Sequence, residues 1–157
     1  MMSTQLRGGC ACGAVRYRLL SDPLFVHCCH CLNCQRQTGS AFVINLLIET
    51  AQVELTGADP TPVDVPREHG LHRIFRCEHC QVAVLSEYDR PGIWFVRAGT
   101  LDDPSGIRPD VHIYTRSKVR WLNLPQGTPA FDEYYDALRI WPAESLRRAQ
   151  MARLNPD

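Results

Sequence analysis

Half of the eight cysteines lie within seven consecutive residues, 28–34, and this density constrains the chain more than any other feature. Three of them, Cys29, Cys31 and Cys34, form a C-x-C-x2-C run. Thiols so close in sequence cannot easily reach the Cα separation and the Cβ directions that a disulfide needs. They can converge on one soft ion, and three thiolates leave one position of a tetrahedral zinc for an exchangeable ligand. The run therefore predicts a metal site with an open position.

The residues alone also allow a second interpretation of this run, in which the metal is structural. The same ion would be purely structural if a fourth protein ligand completed it, and His27, His30 and Cys28 are the nearest candidates in sequence. In the open reading, Cys28 lies outside the set, and His30 points away from the metal toward substrate or solvent. The fourth ligand distinguishes a catalytic zinc from a structural one.

The other four cysteines form two tight pairs, Cys10-x-Cys12 and Cys77-x2-Cys80. Two such pairs separated by a long loop are typical of a closed, four-thiolate structural zinc site, which would tie the start of the chain to its middle. The alternative is a scatter of buried free thiols. Four cysteines in two spaced pairs favour the metal.

Composition limits the possible partners and the location. With 157 residues the chain predicts one domain over 1–157, with a core of about 5–124 and a helical tail over 125–157. Its 17 basic and 17 acidic side chains give no net charge, so nothing indicates binding to nucleic acid or to an anionic membrane. Residues 1–7 lack the apolar core of a signal peptide. We expect a cytoplasmic protein, in which clustered cysteines stay reduced and bind metal.

Hydrophobic periodicity predicts a mainly β fold with few short helices. A short helix is expected over 32–38, ending at Gly39, with a second helix over 131–135 and a C-terminal helix over 142–151. The proline-containing segment 58–70 is expected to be an irregular surface connection. The predicted strands are 15–19, 24–27, 41–48, 52–57, 71–76, 82–88, 93–99 and 111–115.

Three cysteine blocks, at residues 9–17, 29–36 and 77–80, resemble those of the glutathione-dependent formaldehyde-activating family (GFA-type, the domain shared with centromere protein V). A later stretch matches as well, with His112-Ile113-Tyr114 followed by Ser117-Lys118 and Trp121. The resemblance spans residues 8–121. One departure is Gln81, because the family commonly has glycine at that position and glutamine adopts a positive φ only at some cost.

The resemblance implies a β-tent zinc fold of small antiparallel sheets. It implies a structural zinc on Cys10, Cys12, Cys77 and Cys80 and a catalytic zinc on Cys29, Cys31 and Cys34. It also implies a carbon–sulfur lyase activity, the reversible condensation of glutathione with formaldehyde to S-hydroxymethylglutathione. The partners would be a small thiol, with glutathione as a possible co-substrate, and an aldehyde.

Several other residues have two readings. Arg36, Thr38 and Ser40 follow the cluster and could hold the carboxylate of a glutathione-like ligand, or they could be a solvated arginine with turn-capping hydroxyls. His112 could transfer a proton or could be a hydrogen-bonded structural histidine. His79 is expected to be a bystander, and Trp94, Trp121 and Phe42 are expected in the core.

An alternative to the enzyme is a non-catalytic zinc-binding module that holds a protein or a small-thiol partner. A protein side chain that closes the site of Cys29, Cys31 and Cys34 would favour the module. An exchangeable ligand there would favour the enzyme.

Overall fold

The computed structural model describes residues 5–67 and 69–156, so residues 1–4 of the N-terminal segment 1–7 lie outside the described residues. Ten strands are present in the described residues, and they form two sheets. The strands are β1 (Arg7–Gly9), β2 (Arg16–Leu19), β3 (Phe25–Cys29), β4 (Val43–Glu49), β5 (Val53–Leu55), β6 (Thr61–Asp64), β7 (His72–Arg76), β8 (Ala83–Tyr88), β9 (Ile93–Arg97) and β10 (Val111–Ile113).

The smaller sheet has the antiparallel order β1-β2-β5, and the larger has the order β10-β3-β4-β9-β8-β7-β6. Within the larger sheet only β10 runs parallel to its neighbour, β3. This pairing sets His112 opposite Cys28 and Ile113 opposite Cys29. The parallel edge thus brings a late histidine beside the cysteine run.

Strand β4 is buried on both faces, which explains its almost continuous apolar sequence. Successive side chains of a strand point to opposite faces, so Leu46 and Ile48 belong to one core cluster and Leu47 to the other. The first cluster includes Tyr17 and residues of the smaller sheet, and the second includes Trp141 near the C-terminal helix. One strand therefore separates the two halves of the core.

Three α-helices are present in the described part of the chain: α1 (Leu32–Thr38), α2 (Ala137–Ile140) and α3 (Ala143–Leu154). The predicted end of α1 is confirmed, because Gly39 adopts φ 63° and its N–H donates to Gln35 O. Helix α3 confirms the predicted C-terminal helix. No helix of the described residues is both long enough and apolar enough to span a bilayer.

The mainly β prediction is confirmed, and all eight predicted strands are present. Two strands were not predicted. The first, β1, lies in the glycine-rich stretch that indicated only a turn. The second, β6, contains Pro62 and lies at the outer edge of the larger sheet, where a residue without an N–H can be accommodated.

The helix predicted over 131–135 is absent, and the prediction is wrong. The backbone there bonds to strand β10 and the residues after it: Phe131 N–H donates to His112 O, and Glu133 O accepts from Tyr114 N–H. Groups engaged with a neighbouring segment cannot form a local helical turn. The prediction that Trp121 lies in the core is also wrong, because 74% of its surface is exposed.

Gln81 adopts φ 63°, so the strain expected from the missing glycine is present. Its N–H donates to Cys77 O at 3.0 Å and closes the turn that carries Cys77 and Cys80. We expect Gln81→Gly to raise the free energy of unfolding by up to about 1 kcal/mol, because glycine takes this conformation without strain. We expect Gln81→Val to lower it by about 1 kcal/mol, since a β-branched residue is poorly tolerated there.

Urea unfolding of both variants at equal zinc loading measures this difference. Equal stability of the glycine and valine variants would contradict the assignment of strain to Gln81.

Candidate functional site

The first cysteine cluster joins the two sheets. Cys10 and Cys12 follow β1 of the smaller sheet, and Cys77 and Cys80 follow β7 of the larger. All four Sγ atoms lie within 4.8 Å of one another, with 3.5 Å between those of Cys10 and Cys12 and 3.6 Å between those of Cys12 and Cys77. Four thiolates at about 2.3 Å from one zinc would lie about 3.8 Å apart. The cluster is compatible with zinc.

The turn between Cys10 and Val15 aims backbone donors at the sulfur. Gly13 adopts φ 80°, and Val15 N–H donates to Cys10 Sγ at 3.3 Å. Burial raises the pKa of Cys10, but the Val15 N–H and the neighbouring thiols outweigh burial and lower this pKa to about 6. Cys10 thus favours the thiolate, which is the form that binds metal, while hydrogen bonds with Cys10 and Cys77 help to raise the pKa of Cys12.

We expect Cys77→Ser to unfold the protein or to lower its melting temperature by more than about 10 °C, because this cluster joins segments far apart in the chain. Thermal unfolding followed by circular dichroism, with zinc content measured in parallel, checks this. Cys31→Ser is the matched control, because it makes the same chemical change in a cluster that joins only neighbouring segments. A Cys77→Ser protein that melts with the wild type would rule out a structural role.

The second cluster forms where β3 passes into α1. Cys29 ends β3, Cys31 caps α1, and Cys34 lies in the first turn of that helix. Cys34 N–H donates to Cys31 Sγ at 3.3 Å, and the three Sγ atoms lie within 4.8 Å of one another. The helical turn folds the chain back over three residues, and for this reason such close cysteines converge.

The protonation of this cluster is shared among its members. Hydrogen bonds from Cys29 and Cys34 lower the pKa of Cys31 to about 2, and the same hydrogen bond to Cys31 raises the pKa of Cys29. One thiol therefore ionises readily and the others follow when a cation arrives. Metal binding to this cluster must release protons.

The cluster lines a cavity of about 590 Å³. Phe95 and Ile113 form an apolar part of the cavity wall, and side chains from separate segments form its polar part. Among the polar lining residues are Asn33, Asn45, Arg67, His72, Tyr114 and Tyr134. A small polar molecule can therefore contact the sulfur atoms and several hydrogen-bonding groups at once.

His72 stands in the cavity wall as a neutral imidazole. Its ring stacks on Tyr88 with a centroid distance of 4.4 Å, and Nδ1 lies 3.4 Å from Asn33 Nδ2. Burial lowers the pKa of His72 to about 4, and the charge of Arg97 acts in the same direction. At neutral pH His72 can orient a ligand by hydrogen bonding but carries no charge.

The other predicted ligand-binding residues lie elsewhere. Arg36, Thr38 and Ser40 are exposed and are not among the residues that line this cavity. Thr38 donates its hydroxyl to Cys34 O at 2.9 Å, which is a local helix contact. Their binding of a thiol ligand stays a prediction.

His112 is buried on β10 and also lies outside the cavity lining. Its Nδ1 lies 3.0 Å from Nε2 of His30, so its proposed proton transfer stays a prediction too. His30 is fully buried against His112 and Phe42, and the expectation that it faces substrate or solvent is wrong. His79 is exposed.

Comparison with known proteins decides the family. Residues 5–117 match the family model described as glutathione-dependent formaldehyde-activating enzyme. The chain belongs to this family. A curated protein of Halomonas elongata, provisionally named as a glutathione-dependent formaldehyde-activating enzyme, is 29% identical over 127 residues, which cover 76% of this chain and 80% of that protein. A crystal structure of a Rhodobacter sphaeroides protein is similar with a TM-score of 0.48 and 20% identity, covering 66% of this chain and 91% of that one.

In this member of the formaldehyde-activating family, none of the three suggested fourth ligands joins the second cluster. Cys28 and His30 group instead with His112, and His27 Nε2 lies 2.5 Å from Tyr135 Oη. Within the described residues, the three thiols therefore form a set of three. This geometry agrees with the reading in which one position stays exchangeable.

Arg97 and Asn45 form a buried polar pair that the sequence pattern did not predict. Arg97 is only 5% exposed, and its Nη1 donates to Asn45 Oδ1 at 3.1 Å. Among the described residues no salt bridge joins it to a carboxylate. The hydrogen bond with Cys29 lowers the pKa of Cys34, but the hydrogen bond with Cys31 and burial raise it overall, and the charge of Arg97 acts against that rise. Asn45 interrupts the buried, apolar strand β4, and Arg97 ends the largely buried strand β9, and a polar residue in such a strand is the signal that would have found them.

A divalent ion held by three thiolates carries a net charge of −1, and Arg97 supplies a buried positive charge nearby. We expect Arg97→Met to weaken zinc binding at the second cluster about tenfold, the effect of losing one favourable charge interaction of about 1.4 kcal/mol. Arg97→Lys retains the charge and should retain most of the affinity. Competition with a chromophoric chelator measures the constants, and equal affinities for the methionine and lysine variants would contradict the role of this charge.

Proposed function

We propose that the protein catalyses the reversible condensation of a thiol with an aldehyde, of the type that joins glutathione and formaldehyde to S-hydroxymethylglutathione. In the cleavage direction this is a carbon–sulfur lyase. Family membership supports the proposal. The observation that carries it is the convergence of Cys29, Cys31 and Cys34 in the lining of a cavity large enough for a small ligand.

The reaction requires no oxidant or reductant. A bond forms between the thiol sulfur and the carbonyl carbon, and the proton of the thiol ends on the carbonyl oxygen. The reverse reaction breaks the same carbon–sulfur bond and returns the proton. A catalyst must therefore favour the thiolate, orient the aldehyde and allow one proton to pass between them.

The donor set of the second cluster fits zinc, because three soft sulfur atoms lie close enough to share one ion. Zinc held by three thiolates would keep an exchangeable position and supply positive charge for a thiol sulfur or a carbonyl oxygen. We propose two zinc ions, the other being held by Cys10, Cys12, Cys77 and Cys80.

The cavity wall would orient the reactants. Burial raises the pKa of Tyr114, so its hydroxyl stays protonated at neutral pH and can donate a hydrogen bond to a developing oxyanion. Asn33 and the neutral His72 offer further hydrogen bonds. Phe95 and Ile113 exclude water from the same space.

Arg67 is the cation that we assign to substrate recognition. It lines the cavity, its side chain is partly exposed, and its Nη1 lies 3.8 Å from a carboxylate oxygen of Asp89. A pair so exposed and so long contributes little. Arg67 Nη1 donates to Leu71 O at 2.9 Å, and the remaining N–H groups of the guanidinium can bind a substrate carboxylate. Glutathione carries two carboxylates, and it is the thiol that we propose.

We also propose a cytoplasmic location. All eight cysteines are free thiols in the structure, and both clusters need reduced sulfur to bind metal.

We expect Cys31→Ser to lose one zinc ion and to keep the other. Its acceleration of the exchange of formaldehyde with S-hydroxymethylglutathione should be at least about 100-fold smaller than that of the wild type. The reason is that the substitution removes the thiol of the second cluster that ionises most readily. Exchange-spectroscopy NMR measures the rate, and metal analysis counts the ions. The uncatalysed condensation is measured without protein and subtracted. A variant that has lost one zinc but exchanges as fast as the wild type would sink the catalytic proposal and favour the zinc-binding module.

A further inference from the structure

We propose that Cys28, His30 and His112 form a third metal site, which takes a soft cation such as copper(I) or zinc(II). These residues form a buried group beside, but distinct from, the two cysteine clusters. Sγ of Cys28 lies 3.5 Å from Nε2 of His30, and Nε2 of His30 lies 3.0 Å from Nδ1 of His112. All three atoms lie within 4.8 Å of one another.

The backbone brings these side chains together. The parallel pairing of β3 with β10 sets Cys28 directly opposite His112, and the N–H of His30 donates to Ile113 O at 3.0 Å. Metal–nitrogen bonds of about 2.0–2.1 Å and metal–sulfur bonds of about 2.3 Å give ligand–ligand distances of about 3.3–3.6 Å. The 3.5 Å and 3.0 Å distances are close to these values, and Cys28 Sγ and His112 Nδ1 lie within 4.8 Å of each other, so modest side-chain shifts suffice to bind an ion.

The third group faces away from the cavity. Successive residues of a strand point to opposite sides, so Cys28 and Cys29 lie on opposite faces of β3. None of Cys28, His30 and His112 lines the 590 Å³ cavity that Cys29, Cys31 and Cys34 line. The site is therefore separate from the cavity, although its residues are sequence neighbours of the second cluster.

A pair of hydrogen-bonded histidines accounts for only part of this arrangement. Such a pair shares one ring proton between His30 and His112. The outer nitrogens, His30 Nδ1 and His112 Nε2, have no hydrogen-bond partner among the described residues, whether or not an ion is bound. A hydrogen bond between two histidines does not require the thiol of Cys28 beside it. A soft sulfur atom meeting two imidazole nitrogens at one point is a ligand set for copper and zinc.

Burial and charge indicate which ion fits better. Cys28, His30 and His112 are 2%, 0% and 5% exposed. One thiolate and two neutral imidazoles carry a charge of −1, so a monovalent cation would leave the site neutral and a divalent cation would leave a buried charge of +1. The positive charge of Lys118 acts on His30 and opposes a second positive charge, whereas the negative charge of Cys31 favours one. Uncompensated buried charge is costly, so copper(I) suits the site by the charge of its own ligands, and zinc(II) would rely on the nearby thiolates for compensation.

The test starts from the zinc-loaded protein under anaerobic conditions. Copper(I), supplied from a chelate buffer, and excess zinc(II) are added in separate arms, and native mass spectrometry counts each metal per chain. We expect the wild type to bind one further ion with its two zinc ions retained. Cys28→Ser and His112→Gln should each lose that further ion and keep the zinc.

His79→Gln is the matched control, because it makes the same change at an exposed histidine and should still bind the further ion. Retained zinc shows that a variant is folded, and Cys28→Ala replaces Cys28→Ser if the serine variant does not fold. Failure to bind a further ion in both arms overturns the site, as does a further ion that survives both Cys28→Ser and His112→Gln. Cys31→Ser should lose the second zinc and keep the further ion, so failure of the catalytic proposal is distinguished from failure of this one.

Discussion

The convergence of Cys10 and Cys12 with Cys77 and Cys80 is the constraint on which the structure depends. Each pair follows a strand of a different sheet, so one point fixes the smaller sheet against the larger. Sulfur atoms this close repel one another as thiolates unless a cation holds them. If zinc binds to these four thiols, its binding and the meeting of the two sheets are expected to occur together, because an unfolded chain rarely offers a preformed metal site.

The structure also depends on the edge of the larger sheet, where β10 runs parallel to β3. Strand β3 alternates its side chains, so Cys29 faces the cavity while Cys28 faces His112. A shift of one residue in this register would exchange the two faces. Because the register of β3 is fixed by its pairing with β10, β3 presents side chains that could bind metal on both of its faces.

Cysteine spacing and strand periodicity predicted much of the molecule, because both are local signals. The grouping of Cys10, Cys12, Cys77 and Cys80, the set of Cys29, Cys31 and Cys34, helix α1 and the mainly β class needed no knowledge of distant contacts. The missing helix at 131–135 shows the limit, since Phe131 bonds to His112 across the fold. Arg97 and His72 were missed because their positions depend on how strands pair, and Arg67 was missed because it lies in a connection that only the folded chain brings to the cavity.

The cavity is built from two kinds of structure with different freedom to change. Its floor comes from β3, β4 and α1, where strand register and burial restrict which side chains fit. Its rim includes Arg67 from the connection after β6 and Tyr134 from the segment after β10, outside the regular strands. Loops of this kind accept substitutions at low cost in stability. Relatives of this chain can therefore diverge in the molecules they admit while the sulfur chemistry beneath stays the same.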